Sequence, residues 1–168
     1  MRVVRHNKEG KDMRWFVVSI ALALNVVAFA DEKPHENPRS TVEAYLAAAL
    51  AGKTAEAASL ATEDREASSV STLQDFKKMF DVKQIKVPTL WMGEKSGRAI
   101  AVTEPVQIAE ADPDGRNTGR LLFDLVKSKD KWLVDGVDFD NHVEAKVKVE
   151  EFKKTNLDAR SLPLKPLN

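Results

Sequence analysis

The chain has no cysteine among its 168 residues, which excludes a disulfide framework and a Cys-ligated metal or iron–sulfur centre. Histidine is scarce. His6, His35 and His142 show no H-x-x-x-H spacing, so a closed zinc site is not expected. An excess of one charge is also missing: 26 Lys and Arg face 26 Asp and Glu, so no global basic field points to nucleic acid. The sequence lacks a phosphate-binding G-x-x-x-x-G-K-[ST], a dinucleotide-binding G-x-G-x-x-G and a nucleophile-elbow G-x-S-x-G, and no internal repeat is visible. No cofactor is expected from what remains.

One long apolar run is present. Arg2, Arg5, Lys8, Lys11 and Arg14 outnumber Glu9 and Asp12, and an uncharged run from Trp15 to Ala30 follows, ending in Ala28-Phe29-Ala30. A basic lead, an apolar centre and a small-x-small exit form the pattern of a cleaved secretory signal. The run is short for a membrane span, which needs about 20 residues. Residues 1–30 are therefore read as a signal peptide cleaved after Ala30, with Met13 an alternative start. The expected location is secreted or periplasmic, with no membrane contact after cleavage. Cleavage would leave 138 residues with 21 basic and 24 acidic side chains, net −3, enough for one domain with a single core.

Residues 31–39, with Pro34 and Pro38, read as a flexible lead-in. Ser40-Thr41-Val42-Glu43 has the form of a capping box, and Val42, Tyr45, Leu46, Ala49 and Leu50 share a helix face that Gly52 should end. Thr54 can cap a second, Ala-rich helix through Ala61. Ser71-Thr72-Leu73-Gln74 suggests a third, ending near Phe80. The period then changes to two. Strands are expected over 85–92 (interrupted by Pro88), 98–110 (bulged or bent at Pro105), 118–128 and 131–139. The expected pairing is antiparallel, 98–110 with 118–128 and 118–128 with 131–139. Asp112-Pro113-Asp114-Gly115-Arg116-Asn117 is dense turn chemistry rather than a calcium loop, since the later acidic ligand is missing. Val143, Ala145, Val147 and Val149 alternate as a strand would. Asn141-His142-Val143-Glu144 and the pairs Glu144/Lys148 and Glu150/Lys154 favour a helix, and 141–155 is read as one. Residues 156–168 read as an extended tail. The class is α+β: helices, then an antiparallel sheet.

The segment Thr41-Val42-Glu43-Ala44-Tyr45-Leu46-Ala47-Ala48-Ala49-Leu50-Ala51-Gly52-Lys53 and the strand Asp130-Lys131-Trp132-Leu133-Val134-Asp135 resemble the nuclear-transport-factor-2-like superfamily, in the cystatin-like α+β class. The resemblance covers residues 40–140. It implies N-terminal helices packed on a curved antiparallel sheet in a cone, and pairing of two copies through the sheet. It implies no single activity, because that fold hosts isomerases, hydrolases and non-catalytic binders.

Asp124 is the sole charge within Leu121-Leu122-Phe123-Asp124-Leu125-Val126. A carboxylate desolvated by such neighbours could move protons, and Asp138 shares the opportunity if its strand presents it inward. Tyr45 is the third catalytic candidate. The simpler expectation for Asp124 is a structural carboxylate on the sheet's outer face, either solvent-facing or bonded to backbone, with Arg98 or Lys127 as its partner. Tyr45, Phe76, Trp91, Phe123 and Trp132 are candidates to line a ligand pocket. Asp135, Asp138, Asp140 and Asn141 could hold a hard cation, but a bulge at Asp135-Gly136 and a helix cap account for them better, so no metal is expected. His142 is read as a solvated residue near that cap. The expected function is an exported, non-catalytic domain binding a small apolar ligand or an envelope protein. The competing reading is a cofactor-free isomerase or hydrolase.

Overall fold

The computed structural model describes residues 33–63, 65–80, 84–108 and 117–163. The signal expected at 1–30 and the turn at 112–116 lie outside them. Four helices and six strands follow in the order α1 (Pro38–Leu50), α2 (Thr54–Ser59), α3 (Val70–Met79), β1 (Thr89–Gly93), β2 (Arg98–Val102), β3 (Val106–Gln107), β4 (Thr118–Ser128), β5 (Lys131–Asp140), α4 (His142–Thr155) and β6 (Ala159–Ser161). The α+β class and the helices-then-sheet order are those expected.

Helix α1 begins earlier than its sequence suggests. Asn37 is the N-cap and accepts from the Ser40 amide at 2.9 Å, and Pro38 takes the first helical position, where its missing N–H costs nothing. Ser40 is thus inside the helix and the capping box expected there does not form. The far end follows expectation: Gly52 adopts φ 72°, its amide donates to Ala49, and the Lys53 amide donates to Ala48, a Schellman closure. Thr54 is not the cap of α2. Lys53 holds that position without a side-chain hydrogen bond.

The sheet runs β3-β4-β2-β1-β6, with β5 on the free flank of β4. Both expected pairings occur, from Arg98↔Val126 to Val102↔Leu122 and from Arg120↔Asp140 to Ser128↔Lys131. Two interruptions fall at the expected prolines, Pro88 and Pro105, and one strand was not expected. The first strand starts only at Thr89: Pro88 has no amide to donate, and the carbonyl of Val87 is taken by Arg39 at 2.7 Å. The second strand is split at Thr103, whose amide donates to Leu121 O at 3.0 Å while its hydroxyl accepts the Leu121 amide at 2.9 Å. The tail contributes β6, which pairs Ala159–Ser161 with β1.

Side chains alternate between the two faces. On the inner face Ala99, Ala101, Leu121, Phe123 and Leu125 join Val42, Tyr45, Leu46, Leu73, Phe76 and Phe80 in the main core. On the outer face Ile100, Val102 and Leu122 meet Ala145 and Val149 of α4, with Trp91 and Phe152 at the margin. This is why β4 is apolar on both parities. Helices α1–α3 cover one side of it and α4 covers the other.

Candidate functional site

The outer face is built by register. Leu122 lies opposite Asp138, Asp124 opposite Gly136, and Ile100 opposite Asp124. A bulge at Asp124/Leu125 leaves Asp135 unpaired in the ladder, as the Asp135-Gly136 pattern suggested. Helix α4 crosses this face. Its start is secured by Asn141, whose side chain accepts from the Val143 and Glu144 amides while Glu144 returns a bond to the Asn141 amide. Lys148 reaches Asp140 at 2.7 Å and Asp138 at 2.9 Å, and the Lys153 ammonium sits 4.1 Å from the centre of the Trp91 ring.

Between α4 and the sheet lies an open groove of about 250 Å³, lined by Ile100, Leu122, Asp124, Asp138, Lys148, Glu151, Phe152 and Thr155. A second hollow, about 200 Å³, lies at the other flank of α4 against Thr89, Val102 and Arg120. Asp124 is exposed to solvent and also lines the groove beside Ile100, Leu122 and Phe152. Burial pushes its carboxyl above the usual range, the negative charge of Asp138 adds to this, and Arg98 and Lys148 oppose it. The Lys148 ammonium is partly desolvated, which works against its charge, but Asp140 and Asp138 hold it above its ordinary value.

The three catalytic candidates do not converge. Asp124 and Asp138 share the groove, whereas Tyr45 is fully buried on the inner face. The Tyr45 hydroxyl donates to Ala67 O at 2.8 Å, its ring meets Phe123 edge-on at 5.9 Å, and burial pushes the phenol well above its ordinary value. The aromatic candidates divide likewise: Tyr45, Phe76, Phe123 and Trp132 pack into the main core, and Trp91 lies on the outer face. Asp124 is exposed on the outer face of the sheet, near enough to Arg98 to feel its charge. The backbone-bonded alternative does not occur: Asp124 makes no hydrogen bond among the described residues, and its neighbours across both strands, Ile100 and Gly136, offer no side-chain donor.

No family model matches the chain, and no curated protein matches it. Among solved structures it is similar to a crystal structure from Xanthomonas campestris described as a calcium/calmodulin-dependent protein kinase II association domain. The two are 16% identical, the match covers 63% of this chain and 86% of that one, and the TM-score is 0.41.

The acidic residues near the end of β5 have separate tasks. Asp135 accepts from the Thr62 hydroxyl at 3.1 Å and pairs with Arg65 and Arg98 at 3.4 and 3.7 Å, and Asn141 caps α4. Among the described residues no three of His, Asp and Glu converge as metal ligands would. His142 is exposed, and its Nδ1 accepts from Arg120 Nε at 3.1 Å. The residues that sequence reasoning missed are Lys148, Glu151 and Phe152, together with Ile100 and Leu122 beneath them. The spacing Ala145, Lys148, Val149, Phe152 marks one face of α4 and was the available signal.

Proposed function

We propose that this chain is an exported, non-catalytic binding domain of nuclear-transport-factor-2-like type, and that it takes a small ligand in the groove beneath α4. One observation carries the reading. The space between helices and sheet is filled by the chain's own side chains, with Tyr45, Leu73, Phe123 and Leu125 wholly inaccessible, whereas the groove on the opposite face is open and combines an apolar floor with charged walls. None of the described helices is long and apolar enough to cross a membrane. Export is tested by N-terminal sequencing of the protein recovered outside the cytoplasm. A first residue of Asp31 supports it, and an intact Trp15–Ala30 segment refutes it.

Ligand binding is tested by a fragment screen read through backbone amide resonances. Perturbations concentrated on Ile100, Leu122, Asp124 and Phe152 support the groove. Perturbations on the edge strands or the inner helices, produced by a protein partner, favour a docking role instead.

A second reading has a specific observation behind it. Asp124 and Asp138 bring two carboxylates to one groove, and Asp124 holds its proton more tightly than an ordinary aspartate. A cofactor-free isomerase or hydrolase would use that pair. Groove ligands recovered chemically unchanged after incubation count against it. A conversion that stops in Asp124→Asn supports it.

A further inference from the structure

The groove beneath α4 has a chemical bias that its walls define. Its floor is hydrocarbon: Ile100 and Leu122 are almost wholly buried, and Phe152 closes one side. Its polar groups are unequal in charge. Among its lining side chains Asp124, Asp138 and Glu151 face Lys148, an excess of two negative charges.

The cations are already engaged. Arg65 and Arg98 pair with Asp135, and Lys148 is shared by Asp138 and Asp140. Asp124 lines the groove with neither a hydrogen bond nor an ion pair among the described residues, and Arg98 and Lys148 act on it only from a distance. We infer that the groove selects a small organic ammonium, with its charge on Asp124 and a short apolar body on Ile100, Leu122 and Phe152. This rests on the groove being the binding site proposed above.

Three considerations narrow the class. A hard divalent ion needs six or more oxygen ligands, and among the described residues no three acidic or imidazole side chains converge to supply them. An anion would meet the uncompensated negative charge. The volume, about 250 Å³, lies below the roughly 300–1,000 Å³ of sites that enclose drug-sized ligands, so the body must be small, on the scale of a phenethyl or hexyl group. The elevated proton affinity of Asp124 agrees with this, because a cation placed beside the carboxylate supplies the stabilisation that its surroundings withhold.

The test is a titration of the purified protein with phenethylamine, with 2-phenylethanol as the uncharged analogue and 3-phenylpropionate as the anionic one, read by backbone amide shifts. The expected result is saturable shifts at Ile100, Leu122, Asp124 and Phe152 with the amine, and binding of the alcohol weaker by about tenfold or more. Asp124→Asn should bring amine binding down to the level of the alcohol and leave the alcohol unchanged. Preserved dispersion of the other amides checks the fold of that variant, which removes no hydrogen bond. If the alcohol or the propionate binds the same residues as well as the amine, or if Asp124→Asn leaves the amine unaffected, the ammonium assignment fails while the groove stands. If no probe shifts the groove amides, the inference is overturned, and the wider fragment screen decides the groove itself.

Discussion

Arg39 on α1 donates from Nη1 to the carbonyl of Val87 at 2.7 Å. The same guanidinium donates from Nη2 to Leu162 O at 3.2 Å and lies 3.6 Å from Glu43. One nearly buried side chain thus joins the first helix to the segment entering β1 and to the tail beyond β6. Arg39→Ala should cost about 2–3 kcal/mol, because two main-chain carbonyls lose a charged donor. Urea unfolding midpoints check this, and Arg39→Lys should recover little, since a single ammonium does not reproduce the planar fork.

Tyr45 is the sole tyrosine of the chain, so its ionisation can be followed directly by ultraviolet absorbance. Burial raises its pKa in the folded state, so the stability linked to its proton is fully present below about pH 10, the unfolded value, and declines above it. The phenolate signal should therefore be missing from the native protein at pH 10–11 and emerge only with alkaline unfolding. Tyr45→Phe should cost about 1–2 kcal/mol through the unpaired Ala67 carbonyl.

Asp124 has the same direction of shift with a different consequence. Its raised folded pKa means that its contribution is most favourable below the unfolded value of 3.8 and is lost as pH rises through the folded value. Asp124→Asn should accordingly match or slightly exceed the wild type in thermal midpoint at pH 7, and the difference should vanish below about pH 4. A clear loss of stability at pH 7 would show that Asp124 is structural after all.

Asn141 serves both halves of the reciprocal cap at the start of α4. Asn141→Ala should destabilise by about 1 kcal/mol and accelerate amide exchange at Val143 and Glu144, while leaving protection in β4 intact.

Much of this architecture was legible in the residues because local and tertiary signals agreed. The face Val42, Tyr45, Leu46, Ala49 is the buried face of α1, and the Asn141–Glu144 spacing outweighed the alternation of the valines after it, two of which, Val143 and Val147, remain exposed on the helix. Other features depended on partners remote in sequence. Pro34, Pro38 and the charges around them look like a loose leader until Asn37 and Arg39 are seen to meet their partners. Strand β6 is three residues long with Arg160 and Ser161 exposed, so it carries no apolar alternation. The groove was the least legible part. Lys148 and Glu151 look like any solvated helix face, and Ile100 and Leu122 look like ordinary core. Asp124 stood out as a lone charge, but nothing local shows whether a donor reaches it.

The contacts that bind the two ends of the domain govern when it can fold. His35 Nδ1 lies 3.0 Å from the carbonyl of Trp132, 97 residues later, and Arg39 bonds to Leu162, 123 residues later. A chain emerging N-terminus first can form α1 as a local helix, but the carbonyls that anchor its start, on Val87, Trp132 and Leu162, lie far downstream in the sequence. Loop closure over such separations makes folding slow, and it defers the cooperative step until the segment that carries Trp132 and Leu162 has been made. Until that segment arrives the apolar strands of its centre lack their full cover, the condition in which incompletely folded chains aggregate.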